Sequence, residues 1–182
     1  MTLRIDVLAP DEEAFADDLA RVINSAYAVG EEGLWEPGWV RTTPTEVAEL
    51  TRRGGMLTAR VDGEILGCGC IQPLDAATTD LGFVSVLPAQ WGAGAGRAIV
   101  DAAEDLARSR GATTMQLELL VPKEWVHPHK DRPRLWYTRL GYRTIRTARF
   151  DEVASHLESQ LATPCEFLVF RKSLDGGSEL HP

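Results

Sequence analysis

Phe83-Val84-Ser85-Val86-Leu87-Pro88, followed by Gln90-Trp91-Gly92-Ala93-Gly94-Ala95-Gly96-Arg97, decides how this chain is read. The first run is short, rich in β-branched residues and stopped by a proline, as a strand is. The second sets three glycines at alternate positions. Ile99, Ala102, Ala103 and Leu106 then recur at helical spacing, and Gly111 is placed to end that helix in a left-handed cap. Leu81 to Gly111 is therefore a strand, a glycine turn and an amphipathic helix.

Glycine and alanine remove side-chain bulk where backbone must approach a ligand. The first turn of a helix carries N–H groups without partners and the positive end of the macrodipole. A strand passing through such a turn into a helix is an anion site, usually for phosphate. The alternative is a tight corner whose small residues only pack; three alternating glycines beside Arg97 favour phosphate. A Walker loop needs Gly-Lys-Ser/Thr, and this turn has Gly96-Arg97-Ala98. A dinucleotide fingerprint needs a third small residue where Arg97 stands, although Glu118 lies at a tempting distance downstream.

The 182-residue chain reads as one domain over residues 1–173, with 174–182 a polar, glycine-rich tail expected to be disordered. Hydrophobic residues make up 44% and charged residues 25%, ordinary for a soluble globular protein. A formal net charge of −8 argues against a nucleic-acid or anionic-membrane binder and suits a cationic amine substrate. Cys68, Cys70 and Cys165 lack Cys-x-x-Cys spacing and are odd in number, so they read as core residues in a reducing compartment. With no apolar leader and no run long enough to span a membrane, the expected location is cytoplasmic.

Leu3, Ile5 and Val7 alternate as a first strand. Asp11 is placed to cap a helix through Phe15, Leu19, Val22, Ile23 and Ala26. Thr43-Pro44-Thr45-Glu46 reads as a capping box opening a second helix to about Arg53. Met56 to Val61 and Glu64 to Ile71 form a hairpin through Asp62-Gly63, with Pro73 to Asp80 a loop. Met115 to Val121 follows a strand–helix crossover, so it should lie parallel to the Phe83–Leu87 strand. A short helix runs from about Asp131 through Leu140, then a strand from Tyr142 to Phe150. Val153, Leu157 and Leu161 suggest a further helix, and Cys165 to Arg171 a last strand. This order is α/β with a mixed sheet, not a doubly wound repeat.

Val84-Ser85-Val86-Leu87-Pro88 followed by Gly92 to Ile99 resembles the strand and pyrophosphate loop, written Q/R-x-x-G-x-G/A, of the GNAT superfamily of acetyl-CoA-dependent N-acetyltransferases. There is one departure: Trp91 holds the first position, and Gln90 comes one residue early. Leu135-Trp136-Tyr137-Thr138-Arg139-Leu140-Gly141-Tyr142 resembles a second run of that superfamily, about 40 residues on, and the element order is similar over most of the chain, with an extra helix near 151–162. The resemblance implies a mixed, mostly antiparallel sheet of about seven strands flanked by four to five helices, with a splayed parallel strand pair.

It also implies roles. Val84 and Val86 would pair with pantetheine amides. Trp91, Gly92, Ala93, Gly94, Ala95, Gly96 and Arg97 would hold the pyrophosphate, and Tyr137 would protonate the departing thiolate. For the general base two candidates stay open: Asp80, by its offset from Val86, and Glu118, whose burial among apolar neighbours would raise its pKa. Glu32 and Trp35, in an acidic and aromatic loop, are candidates for the acceptor wall. His127 and His129 lack a third ligand, so no metal is expected. The implied partners are acetyl-CoA and a primary amine of a small molecule or peptide, with a homodimer an open question. Two other readings compete: a non-catalytic acyl-CoA-binding module and a nucleotide-dependent oxidoreductase.

Overall fold

A computed structural model describes residues 2–175. Its strands are β1 (Leu3–Val7), β2 (Met56–Val61), β3 (Glu64–Pro73), β4 (Thr78–Val86), β5 (Thr114–Pro122), β6 (Arg143–Arg149) and β7 (Cys165–Ser173). They form one sheet in the order β1-β2-β3-β4-β5-β7-β6. β4 and β5 run parallel, and the other neighbours are antiparallel. Asp62 and Gly63 both take positive φ, 52° and 90°, the turn that sets the β2–β3 register.

The helices are α1 (Ala16–Gly30), α2 (Pro44–Arg52), α3 (Ala95–Ser109), α4 (Asp131–Arg139) and α5 (Phe150–Ala154). Adjacent residues of β2 go to different cores, as strand alternation requires. Met56 joins Leu19, Ile23, Val47 and Phe83 beneath α1 and α2. Leu57 joins Val100, Ala103, Leu81 and Phe170 beneath α3.

One feature of β4 shapes the molecule. Cys68 pairs with Ser85 and Cys70 with Gly82, so Gly69 alone faces both Phe83 and Val84. Phe83 has φ of +54°, and this bulge bends the strand. The parallel ladder accordingly covers only Thr78–Asp80 against Thr114–Gln116. Beyond it β4 turns away while β5 stays paired to β7, and a gap opens between them. A side chain at 69 would place its Cβ 2.7 Å from the Ile99 Cγ2, which is why glycine faces the bulge.

The structure corrects several local expectations. β4 begins at Thr78, leaving only 74–77 as turn, because the Asp75 carboxylate accepts the Ala77 and Thr78 amides at 2.8 Å each. Asp11 caps nothing: Glu12 accepts the Ala9 amide, and a 3-10 turn at Glu13–Phe15 leads into α1. Thr43 does cap α2, but the Glu46 carboxylate accepts from the Thr42 hydroxyl at 2.6 Å instead of closing the box. The helix expected through Leu161 stops at Ala154 and continues as a 3-10 turn, Ser155–Gln160. There the Gln160 carbonyl and the Ala162 amide bond to Glu36 and Leu34, which pulls the segment out of helical register. Leu174, assigned to the tail, is buried, its amide on the Thr113 carbonyl and its carbonyl accepting from Arg108. The rest of the tail expectation, residues 176–182, lies outside the described residues. All three cysteines are buried and free. Among the described residues no helix is long and apolar enough to cross a membrane.

Candidate active site

The glycine turn leaves β4 through a 3-10 turn at Pro88–Gln90 and enters α3. Gly92 and Gly94 take φ of 87° and 90°, which favours glycine, and open space lies where their Cβ atoms would be. The amides of Gly94, Ala95, Gly96 and Arg97 have no backbone partner among the described residues. They lie in and just before the first turn of a 15-residue helix, where the macrodipole is positive. Ala93 departs from expectation: it lies off the cavity described below, and the Gln90 carbonyl engages its amide. Arg97 lines the cavity, its guanidinium paired with Asp101 at 3.1 Å. Trp91, the departure in the motif, donates its indole N–H to the Val86 carbonyl at 2.7 Å.

The Leu87 amide bonds to Leu66 on β3. Alternation along an extended strand therefore turns the peptide groups of Val84 and Val86 the other way, into the gap beside β5. Among the described residues no strand pairs with β4 there. A cavity of about 830 Å³ runs from the glycine turn through this gap to the loop after α1.

Asp80, Glu118 and Tyr137 all line it. Asp80 stands on the last rung of the parallel ladder, and its buried Oδ1 has no hydrogen-bond partner among the described residues. Burial pushes its carboxyl up to about 7; the nearby Glu118 charge adds to the rise and Arg41 opposes it. The Glu118 carboxylate accepts from the Gln116 amide at 2.7 Å, and Gln116 in turn accepts from Arg171 at 2.8 Å. Tyr137 is buried in α4, edge-on to Tyr142 at 5.8 Å between ring centroids. Burial holds its hydroxyl far above the ordinary tyrosine range, so it stays protonated. Gly141, at φ of 93°, ends α4 and turns the chain into Tyr142.

At the far end the acid facing the cavity is Glu31, not Glu32. The Glu31 amide continues the helical ladder to the Tyr27 carbonyl, so its side chain shares that inward face. Glu32, one residue on, is exposed and contributes only its carbonyl, to the His127 Nε2 at 2.8 Å. Buried Glu31 accepts from the Trp35 indole at 2.6 Å and from Lys130 at 3.0 Å. Trp35 lines the cavity as expected and stacks on Trp39, centroids 3.8 Å apart and planes within 7°. His127 Nδ1 accepts the His129 amide, which makes Nε2 the donor and the pair a loop clasp. Among the described residues no three His, Cys, Asp or Glu side chains gather as metal ligands do. Sequence reasoning missed Lys130 and Arg41; the proximity of Asn24, which both donates to and accepts from Thr42, is what brings the Arg41 loop onto α1.

Comparison with curated protein sequences gives no match. Solved structures of the same fold include an aminoglycoside 6'-N-acetyltransferase complexed with coenzyme A, at TM-score 0.73 and 14% identity over 97% of this chain and 99% of that one. The paia N-acetyltransferase of Thermoplasma acidophilum, in complex with coenzyme A, gives 0.71 and 14% over 95% and 99%. The yncA protein of Salmonella typhimurium, with acetyl-CoA, gives 0.67 and 18% over 98% and 97%. Residues 20–142 match the family model described as "Acetyltransferase (GNAT) family", and with the splayed strand pair and glycine turn in place this chain belongs to that family.

Proposed function

We propose that the protein transfers the acetyl group of acetyl-CoA to a primary amine of a small molecule or peptide, by direct attack within a ternary complex. The observation that carries this reading is the unpaired β4 edge, Val84 to Val86, flanked by the free amides of Gly94 to Arg97 and by Asp80 and Tyr137. The residues fit the co-substrate. The Val84 N–H and carbonyl and the Val86 N–H suit pantetheine as an added strand, the Val86 carbonyl already holding the Trp91 indole, and the turn suits a diphosphate.

The amine nitrogen attacks the thioester carbon; a C–N bond forms and the C–S bond breaks. Asp80 accepts the proton the nitrogen gives up, directly or through water. It is favoured over Glu118 because its Oδ1 is unpartnered and its carboxyl is pushed up to about 7, while Gln116 engages Glu118. A β4 peptide N–H near the bulge holds the developing oxyanion. Tyr137 gives its proton to the departing thiolate. Glu31, Trp35 and Trp39 wall the acceptor side. Three buried free thiols suit a reducing, cytoplasmic setting.

The test is release of free thiol from acetyl-CoA with a panel of amines. Amine-dependent release is the expected result. Binding of CoA with no turnover of any amine would instead favour a non-catalytic acyl-CoA-binding module.

A further inference from the structure

We infer that Arg41 binds a carboxylate of the acceptor, so that the amine acetylated is that of an amino acid with a free carboxyl group and an apolar side chain. This rests on the acetyl-transfer reading above and gives it an acceptor class. Arg41 lines the cavity from the loop before α2, half-buried, with its guanidinium 4.3 Å from the Phe83 ring centroid and 5.1 Å from that of Tyr27. Two rings seat it, and a seated guanidinium keeps its fork of donors in one orientation. Among the described residues no carboxylate lies within 4.0 Å of it; its guanidinium is hydrogen-bonded to the Tyr27 hydroxyl, which supplies no counter-charge. Lys130, the other cation walled into this end, is neutralised by Glu31 at 3.0 Å. Arg132 and Arg139 reach the cavity only from its exposed rim.

A half-buried cation without a counter-ion is costly unless a ligand supplies one. Asp80 faces the same space, close enough for the guanidinium to oppose the rise of its pKa, yet the two are not paired. A group that brings an amine to Asp80 and a carboxylate to Arg41 fits between them. The stacked indoles of Trp35 and Trp39 offer its side chain an apolar wall.

The experiment compares kcat/KM for L-phenylalanine, L-phenylalaninamide and 2-phenylethylamine with acetyl-CoA as donor. A charge-assisted fork gives phenylalanine an advantage of roughly 10–100-fold over its amide, and Arg41→Gln brings that ratio to within about 3-fold of one. Equal use of all three overturns the inference and leaves acetyl transfer standing. Parallel loss of acid and amide in Arg41→Gln also overturns it, since that marks a structural role. If no amine is acetylated, the acetyl-transfer reading fails, and equilibrium binding to the CoA-saturated protein then decides the anion site. Tighter binding of N-acetylphenylalanine than of its amide, lost in Arg41→Gln, supports it; equal binding overturns it.

Discussion

The indole N–H of Trp91 donates to the main-chain carbonyl of Val86 at 2.7 Å, tying the glycine turn back to the strand end it leaves. The two residues sit at either side of a 3-10 turn, so this bond fixes how far the turn stands from the open β4 edge. Loop amides bind an anion well only when they converge on it without reorganising. On the proposed function, a side chain that breaks the motif's usual wording would serve the same site through its own donor.

Trp91→Phe removes that donor and keeps most of the ring. A partly buried neutral hydrogen bond is worth about 0.5–1.5 kcal/mol net. The dissociation constant for CoA should rise roughly 2–10-fold, with kcat at saturating acetyl-CoA changed less than the affinity. Calorimetric titration of CoA into both proteins checks this. An unchanged affinity would detach Trp91 from the coenzyme site.

Asp80 carries a prediction with two signs. Its folded carboxyl titrates near 7, against 3.8 ordinarily. Between those values the native protein holds a proton that the unfolded chain has released, so stability falls as pH rises from about 4 to 7. Burial is the main cause; Glu118 adds to it, Arg41 works against it, and the Cys70 thiol beside Asp80 stays neutral in this range. Asp80→Asn removes the slope and should be more stable than the parent at pH 8 by about 2–4 kcal/mol, with little difference at pH 4. Activity moves the other way: kcat rises with a midpoint near pH 7 in the parent, and the variant loses that limb along with about 10²–10⁴ in rate. Chemical denaturation at two pH values and a pH–rate profile together test it.

Tyr137 is the cleaner chemical probe. Tyr137 lines the cavity; among the described residues its hydroxyl bonds to no other side chain, while its ring packs against Tyr142 and Phe170. Tyr137→Phe keeps those contacts, so stability should change by less than about 1 kcal/mol. If the hydroxyl protonates the thiolate, kcat falls about 10²-fold, and a CoA leaving group of lower pKa, as in an aryl thioester, should recover much of the loss. Equal losses with both thioesters would remove Tyr137 from the proton path.

What the sequence revealed and what it hid follow the range of the forces involved. The hairpin at Asp62-Gly63, the capped start at Thr43 and the glycine turn are local devices, each legible within a few residues. The bulge at Phe83 was not legible, because a positive φ at a phenylalanine is imposed by Gly69 on the neighbouring strand and by α1 and α2 packing on the ring. Choosing between Glu31 and Glu32 needed the end of α1 to one residue, finer than pattern allows. Asp80 was separable from Glu118 only by burial and partners. Arg41 acquires meaning only once Phe83 and Tyr27, distant in sequence, are seen to hold it.

Glu104 tests how the platform beneath Tyr137 is held. Its buried carboxylate accepts from the Tyr142 hydroxyl at 3.0 Å, from Lys172 at 2.7 Å and from Arg108 at 3.2 Å, joining α3 to β7 and the end of α4. It does not line the cavity. Glu104→Ala strands the Tyr142 hydroxyl without an acceptor and leaves Lys172 partly buried beside a void. The loss should be roughly 2–4 kcal/mol, and smaller for Glu104→Gln, which still accepts one bond. Adding Lys172→Met to Glu104→Ala should cost little more, since the ammonium has already lost its partner. Because the network lies outside the cavity, kcat measured well below the melting temperature should change less than about 3-fold. A larger fall with stability intact would mean that the network positions Tyr137, acting through the Tyr142 ring packed against it.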